Sequence, residues 1–220
     1  MNRKTAYEFA HLADTKYFIN PCNACKGDTR LKKHLWPAED TKGLGSWNSD
    51  ILVIAKDFRN YVEGSGARFA FHLADGRNET EFNPTNKALF EVFENRKLLY
   101  VNSVWMFKIH AQMNGPIRLS DKEGMQHNKA VMDYTLKNSK ASHIFLLGKA
   151  GAIPSISSMY KTKFRNLNVL SSTEWQSPVD NRVFKVHVLP HLGRMGMSYF
   201  NRTTGGGVER LKAFVDSVLL

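Results

Sequence analysis

Apolar positions along the chain fall into two alternating patterns. The first is the short unbroken run. Ile51-Leu52-Val53-Ile54-Ala55 stops abruptly at Lys56-Asp57. A run of this length rich in Ile and Val predicts a strand buried on both faces, as in a parallel sheet. Similar runs lie at Lys97–Trp105, Ser142–Gly148 and Arg182–Leu189, with a shorter one at Asn168–Leu170. The second pattern is helical, recurring every three or four residues. It covers residues 5–19 through Ala6, Phe9, Leu12 and Ala13, and a segment opened by Asn83-Pro84-Thr85 and carried by Ala88, Leu89, Val92 and Phe93. Asn83 or Thr85 is the expected cap there. Further helices are expected over Gly124–Asn138, after Gly148-Lys149-Ala150-Gly151 through Pro154 and Ile156, and over Val208–Leu219. Strands alternating with helices predict a three-layer α/β/α fold around a mostly parallel sheet of four or five strands. With no repeat and no domain-sized linker, residues 1–220 read as one domain, on which the helix and loop of residues 1–48 pack.

Polar residues at the strand ends are where chemistry is expected. In open α/β sheets the carboxyl ends of parallel strands face the ligand crevice. Asp57, Asn102 and His191 each end or interrupt an apolar run, so the fold can bring them together from distant parts of the chain. Each has a plainer explanation. Asp57 can cap a following turn, and Asn102 can be a strand amide whose donor and acceptor are satisfied internally. The turn Gly148-Lys149-Ala150-Gly151 offers backbone amides and a cation to a phosphate. Phe69 and Phe71 follow a polar loop, Asn60–Arg68, and either wall a pocket beside Asp57 or belong to the core. Pro190-His191-Leu192-Gly193-Arg194-Met195-Gly196-Met197 reads as a flexible loop.

Charge narrows the partner. The chain of 220 residues carries 31 Lys+Arg against 20 Asp+Glu, a formal net charge of +11. Such a surplus favours polyanions, because neutralising phosphates releases their condensed counterions. No apolar stretch approaches the length of a membrane span, and the first residues hold no apolar signal core. An intracellular protein, cytoplasmic or nucleoid-associated and without a signal peptide, is therefore expected. Two cysteines exclude a disulfide framework. Cys22 and Cys25 are spaced C-x-x-C, which fits half of a zinc site that His11 and His34 could complete, a redox pair, or two reduced thiols.

Four segments, in order, resemble the uracil-DNA glycosylase superfamily. Val53-Ile54-Ala55-Lys56-Asp57-Phe58 is similar to its water-activating segment, and Leu99-Tyr100-Val101-Asn102-Ser103-Val104 to its base-reading strand. Leu146-Leu147-Gly148-Lys149-Ala150 is similar to its phosphate-contacting turn, and Pro190-His191-Leu192-Gly193-Arg194-Met195-Gly196 to its minor-groove loop. The resemblance spans about Ser49 to Arg202. It implies that Asp57 orients the attacking water and stabilises the cationic sugar, and that His191 donates to the uracil O2; these are the catalytic pair. It further implies a substrate pocket of Lys56, Phe58, Arg59, Phe69, Phe71 and Asn102, with Phe71 or Phe69 stacking on the flipped base. DNA contacts are implied for Lys149, Arg194, Met195 and Arg202, with Arg194 or Met195 entering the duplex. This sequence departs from the family pattern at Ala55 and Lys56, at Leu192, and at Arg59, which aligns with the tyrosine that excludes the thymine methyl; Tyr61 is the alternative for that task. With two cysteines the chain cannot form the four-cysteine iron–sulfur cluster of some branches.

The expected function is thus a monomeric, monofunctional DNA glycosylase without cofactor, acting on single- or double-stranded DNA. It would release uracil or a related damaged base by base flipping and Asp-assisted water attack. Two alternatives come from the residues: a non-catalytic nucleic-acid-binding protein on the same scaffold, and a phosphoester-processing α/β enzyme using Asp57 with a metal.

Overall fold

A computed structural model describes residues 48–57, 84–94, 96–104 and 122–220 of the chain. The elements, in chain order, are β1 (Ile51–Asp57), α1 (Pro84–Phe93), β2 (Leu99–Val104), α2 (Lys122–Asn138), β3 (His143–Leu147), a π-helical turn (Gly148–Ala152), α3 (Ile153–Tyr160), β4 (Ser172–Gln176), β5 (Val183–Leu189), α4 (Arg194–Thr203) and α5 (Gly207–Leu219). The five strands form one sheet in the order β2-β1-β3-β5-β4. Pairings β1–β2, β1–β3 and β3–β5 are parallel, and β4 pairs antiparallel with β5 at the edge.

Alternation along the buried strands separates two cores. Leu52 and Ile54 of β1 point to one side with Leu99, Val101, Ile144, Leu146, Val186 and Val188, against Met132 and Leu136 of α2 and Ile153 and Ile156 of α3. Ile51, Val53 and Ala55 point to the other side with Tyr100, Phe145, Leu147 and Leu189, against Leu89, Val92 and Phe93 of α1 and Leu211 and Val215 of α5. The unbroken apolar run at β1 exists because both its faces are covered, which makes the fold a three-layer α/β/α arrangement. Each fully buried Leu, Ile or Phe contributes about 1.5–3 kcal/mol of transfer free energy. The half-buried ion pairs that tie the turn after α1 to α5 contribute less, though they form a network: Arg96 to Asp216 at 2.8 Å, and Lys212 to Asp216 at 2.8 Å and to Glu94 at 2.9 Å. Among the described residues no helix is long and apolar enough to cross a membrane.

Three sequence expectations are corrected here. The run Asn168–Leu170 is not a strand. Leu170 has a positive φ of 61° and donates its N–H to Val188 O at 2.8 Å, so it turns the chain toward β4, which starts at Ser172. Thr85 lies within the first turn of α1 rather than before it, and Pro84 takes the first helical position, where its missing N–H costs nothing. The segment after His191 is not a loop throughout: α4 begins at Arg194, and it is anchored by the buried Phe200. The expected helix at 5–19, the loop at 60–68, Phe69 and Phe71 lie outside the described residues.

Candidate functional site

The crossover pattern locates a crevice. From β1 the chain passes to β2 on one side and then crosses to β3 on the other. The reversal leaves a gap between the β1 and β3 carboxyl ends, the usual place for a ligand in an open parallel sheet. Lys56 and Asp57 close β1 at this gap, and the turn Gly148–Ala152 leaves β3 beside it. Asn102 on β2 pairs with Ala55, and Asp57 pairs with Val104. Asp57 and Asn102 are therefore fixed as neighbouring positions on adjacent strand ends, while their side chains lie outside the described residues.

Two close approaches knit this edge together. Gly148 has a φ of +84°, and a β-carbon built there would stand 3.2 Å from the Cβ of His191. A glycine lets the end of β3 turn and also lets the post-β5 segment come near it. On the other flank, a β-carbon at Gly151 would lie 3.9 Å from the Cβ of Lys56. The turn therefore sits between Lys56 and His191, and Lys149 is exposed beside it. The kink at Gly151 (φ −99°, ψ −110°) breaks the expected simple helix start.

Beneath the edge, buried hydroxyls fix the end of β1. Ser103 Oγ donates to the carbonyl of Lys56 at 2.8 Å and accepts from Ser155 Oγ at 2.6 Å. Ala152 O, 3.0 Å from the Ser155 oxygen, shares that proton. Both serines are fully buried. The chain of hydroxyls spans β1, β2 and α3, so it holds the peptide preceding Asp57 against two neighbouring elements. These serines were not singled out from the sequence. A hydroxyl next to Asn102 inside an apolar strand was the available signal.

His191 is exposed, and its ring orientation has a specific cause. Gly193 donates its N–H to Nδ1 of His191 at 3.0 Å. A nitrogen that accepts carries no proton in the neutral ring, so Nε2 carries it and is a donor. The loop is tightly folded around this residue. A β-carbon at Gly193 would meet the His191 ring at 2.8 Å and Thr85 Oγ1 at 3.2 Å, and one at Gly196 would overlap His191 O. Neither position accommodates a side chain without moving His191. Arg194, Met195 and Arg202 follow on α4, all exposed, with Met195 at 77%.

The structure thus brings Lys56, the strand positions of Asp57 and Asn102, Lys149 and His191 to one sheet edge, with Arg194, Met195 and Arg202 on the helix that continues from it. Phe58, Arg59, Tyr61, Phe69, Phe71, His11, Cys22, Cys25 and His34 lie outside the described residues. Among the described residues no group of three or more His, Cys, Asp or Glu side chains is arranged to hold a metal ion.

A second polar cluster lies near the other end of the sheet. His187 on β5 is buried; its Nδ1 is 2.7 Å from Ser172 Oγ and its Nε2 is 3.0 Å from His143 Nδ1. Burial above all, then His143 and Lys185, pulls the His187 pKa down to about 4. His143 is also lowered, by burial and then Lys185, against the opposing pull of Asp50. Both rings are therefore neutral near pH 7, and each hydrogen-bonded nitrogen has a partner.

No protein-family model matches this sequence, and no curated protein is significantly similar to it.

Proposed function

We propose that this protein is a DNA glycosylase that hydrolyses the N-glycosidic bond of uracil or a related damaged base. One observation carries the reading: four segments that resemble the uracil-DNA glycosylase superfamily, far apart in sequence, end at a single edge of the parallel sheet. The His191 geometry adds a chemical reason. As the glycosidic bond breaks, its electron pair moves to the base, and negative charge builds on a carbonyl oxygen. An imidazole whose Nδ1 accepts the Gly193 N–H keeps its proton on Nε2, a fitting donor to that oxygen. Asp57 orients the water that adds to the sugar carbon, takes up its proton, and stabilises the positive charge there. Asn102 reads the edge of the base, which must leave the stack to reach such a crevice. Lys149 and Arg194 hold flanking phosphates.

A lesion panel of labelled oligonucleotides tests the reading: free base is released from the uracil strand by the wild-type chain, and release collapses in Asp57→Asn and His191→Ala. Binding without release from any lesion would favour the second reading, a nucleic-acid-binding protein without catalysis. The replacement of the family's residues by Ala55, Lys56 and Arg59 around Asp57 is what favours that alternative.

A further inference from the structure

Helix α4 carries an exposed aromatic residue that the chemistry above does not use. Tyr199 is 62% exposed and Met195, one turn earlier, 77%. Few large apolar side chains are so exposed among the described residues, and these two share a helix face at i, i+4 spacing. Arg202 places its guanidinium carbon 5.8 Å from the centre of the Tyr199 ring. The helix sequence RMGMSYFNRT has two arginines and no carboxylate. Between α4 and α1 runs an open groove lined by Lys87, Glu91, Arg194 and Arg202 together with the apolar Leu192 and Met197, and Tyr199 stands outside its lining. Its one acid, Glu91, is within 3.8 Å of Lys87 and so is partly neutralised.

We infer that α4 is a docking ridge for single-stranded DNA, with Tyr199 as a stacking platform for an unpaired base beside the crevice and Arg194 and Arg202 on its phosphates. The inference rests on the glycosylase reading for its place beside the crevice and extends it to the strandedness of the substrate. Charge complementarity selects a polyanion, since Arg194 and Arg202 are left in excess once Lys87 is paired with Glu91. The exposed ring selects unpaired bases among polyanions. A base offers its π-face to a protein surface only when it is not stacked in a duplex, and an aromatic–base stack tolerates any sequence. Arg202 over the tyrosine adds a cation–π contact to the same platform. Arg202 stands at the Tyr199 ring, placed for the phosphate next to a stacked base, and Arg194, about 12 Å from it along the helix axis, for a phosphate farther along the strand.

Fluorescence anisotropy with the full chain, using a labelled short oligothymidylate and a duplex hairpin of the same length, tests this. The wild-type chain is expected to bind the single strand more tightly than the hairpin. Tyr199→Ala should weaken single-strand binding by about fivefold or more, the low end of one lost stack, and leave hairpin binding and the salt dependence unchanged. Tyr199→Phe should retain wild-type affinity. An unchanged thermal midpoint in Tyr199→Ala certifies that the variant is folded. Single-strand binding by Tyr199→Ala equal to wild type, or tighter binding to the hairpin, would overturn the inference. Uracil release measured in parallel separates the two claims. Loss of single-strand binding in Tyr199→Ala with no release by wild type upholds the ridge and removes the glycosylase, whereas release with Tyr199→Ala binding unaffected does the reverse.

Discussion

At the scale of single residues, the hydrogen bond from Gly193 to His191 Nδ1 does the most to define the chemistry, because it assigns the donor nitrogen. Removing one preorganised donor to a developing oxyanion costs about a hundredfold to a thousandfold in rate. His191→Ala should therefore lose base release by that factor, with at most a modest drop in thermal midpoint from the lost Gly193 N–H bond. Single-turnover release separates this from a binding defect. The His143–His187–Ser172 cluster predicts a stability effect instead. The folded-state pKa of His187, about 4, lies below its unfolded value of 6.5, so the unfolded chain takes up protons first as the pH falls. Stability from this group is complete above about pH 6.5 and is lost progressively toward pH 4. The thermal midpoint should fall by a few degrees across that window, and His187→Gln should flatten the fall. An identical pH profile in His187→Gln would show that the cluster is not the source. None of this was legible in the sequence, where His143 and His187 look like ordinary strand residues until two strands bring them within 3.0 Å.

At the scale of elements, the edge is held together by small residues. The Ser103 and Ser155 hydroxyls are fully buried, so Ser103→Ala leaves the Lys56 carbonyl without that donor and Ser155 without that acceptor. A loss of about 1–3 kcal/mol in unfolding free energy follows, measurable as a lower denaturant midpoint. Gly196→Ala acts differently. Its new β-carbon would overlap His191 O, so the segment bearing His191 must shift. A displacement of that order can cost about a hundredfold in rate. Gly196→Ala should therefore resemble His191→Ala in base release while retaining the far-UV circular dichroism of the wild type. Element type was readable where burial on both faces imposed one pattern, as in β1, β3 and α5. It failed at α4, because Gly193 and Gly196 mark a loop by propensity, while tertiary packing of Phe200 and the close approach to His191 favour a helix. It failed again at Asn168–Leu170, where three apolar residues are too few to distinguish a strand from a turn with Leu170 at positive φ.

At the scale of the molecule, strand order turns scattered polar residues into a site. The sequence showed that Asp57, Asn102 and His191 end or interrupt apolar runs, and the α/β alternation followed from it. The order β2-β1-β3-β5-β4 could not be read, because it depends on which strand ends find each other after the crossovers. A net charge of +11 acts at this scale too. If Lys149, Arg194 and Arg202 each neutralise one phosphate, single-strand affinity should fall roughly twentyfold between about 50 and 200 mM salt. Replacing all three with glutamine should flatten that dependence in an anisotropy titration; an unaltered slope would place the phosphate contacts elsewhere. The central claim is chemical, and one measurement addresses it most directly: the release of free uracil from a uracil-containing oligonucleotide, followed by chromatography for the wild-type chain and for Asp57→Asn. The account predicts release by the wild type and its collapse in Asp57→Asn with oligonucleotide binding intact. Equal release by the two proteins would contradict it, as would no release by a wild-type chain that binds the oligonucleotide.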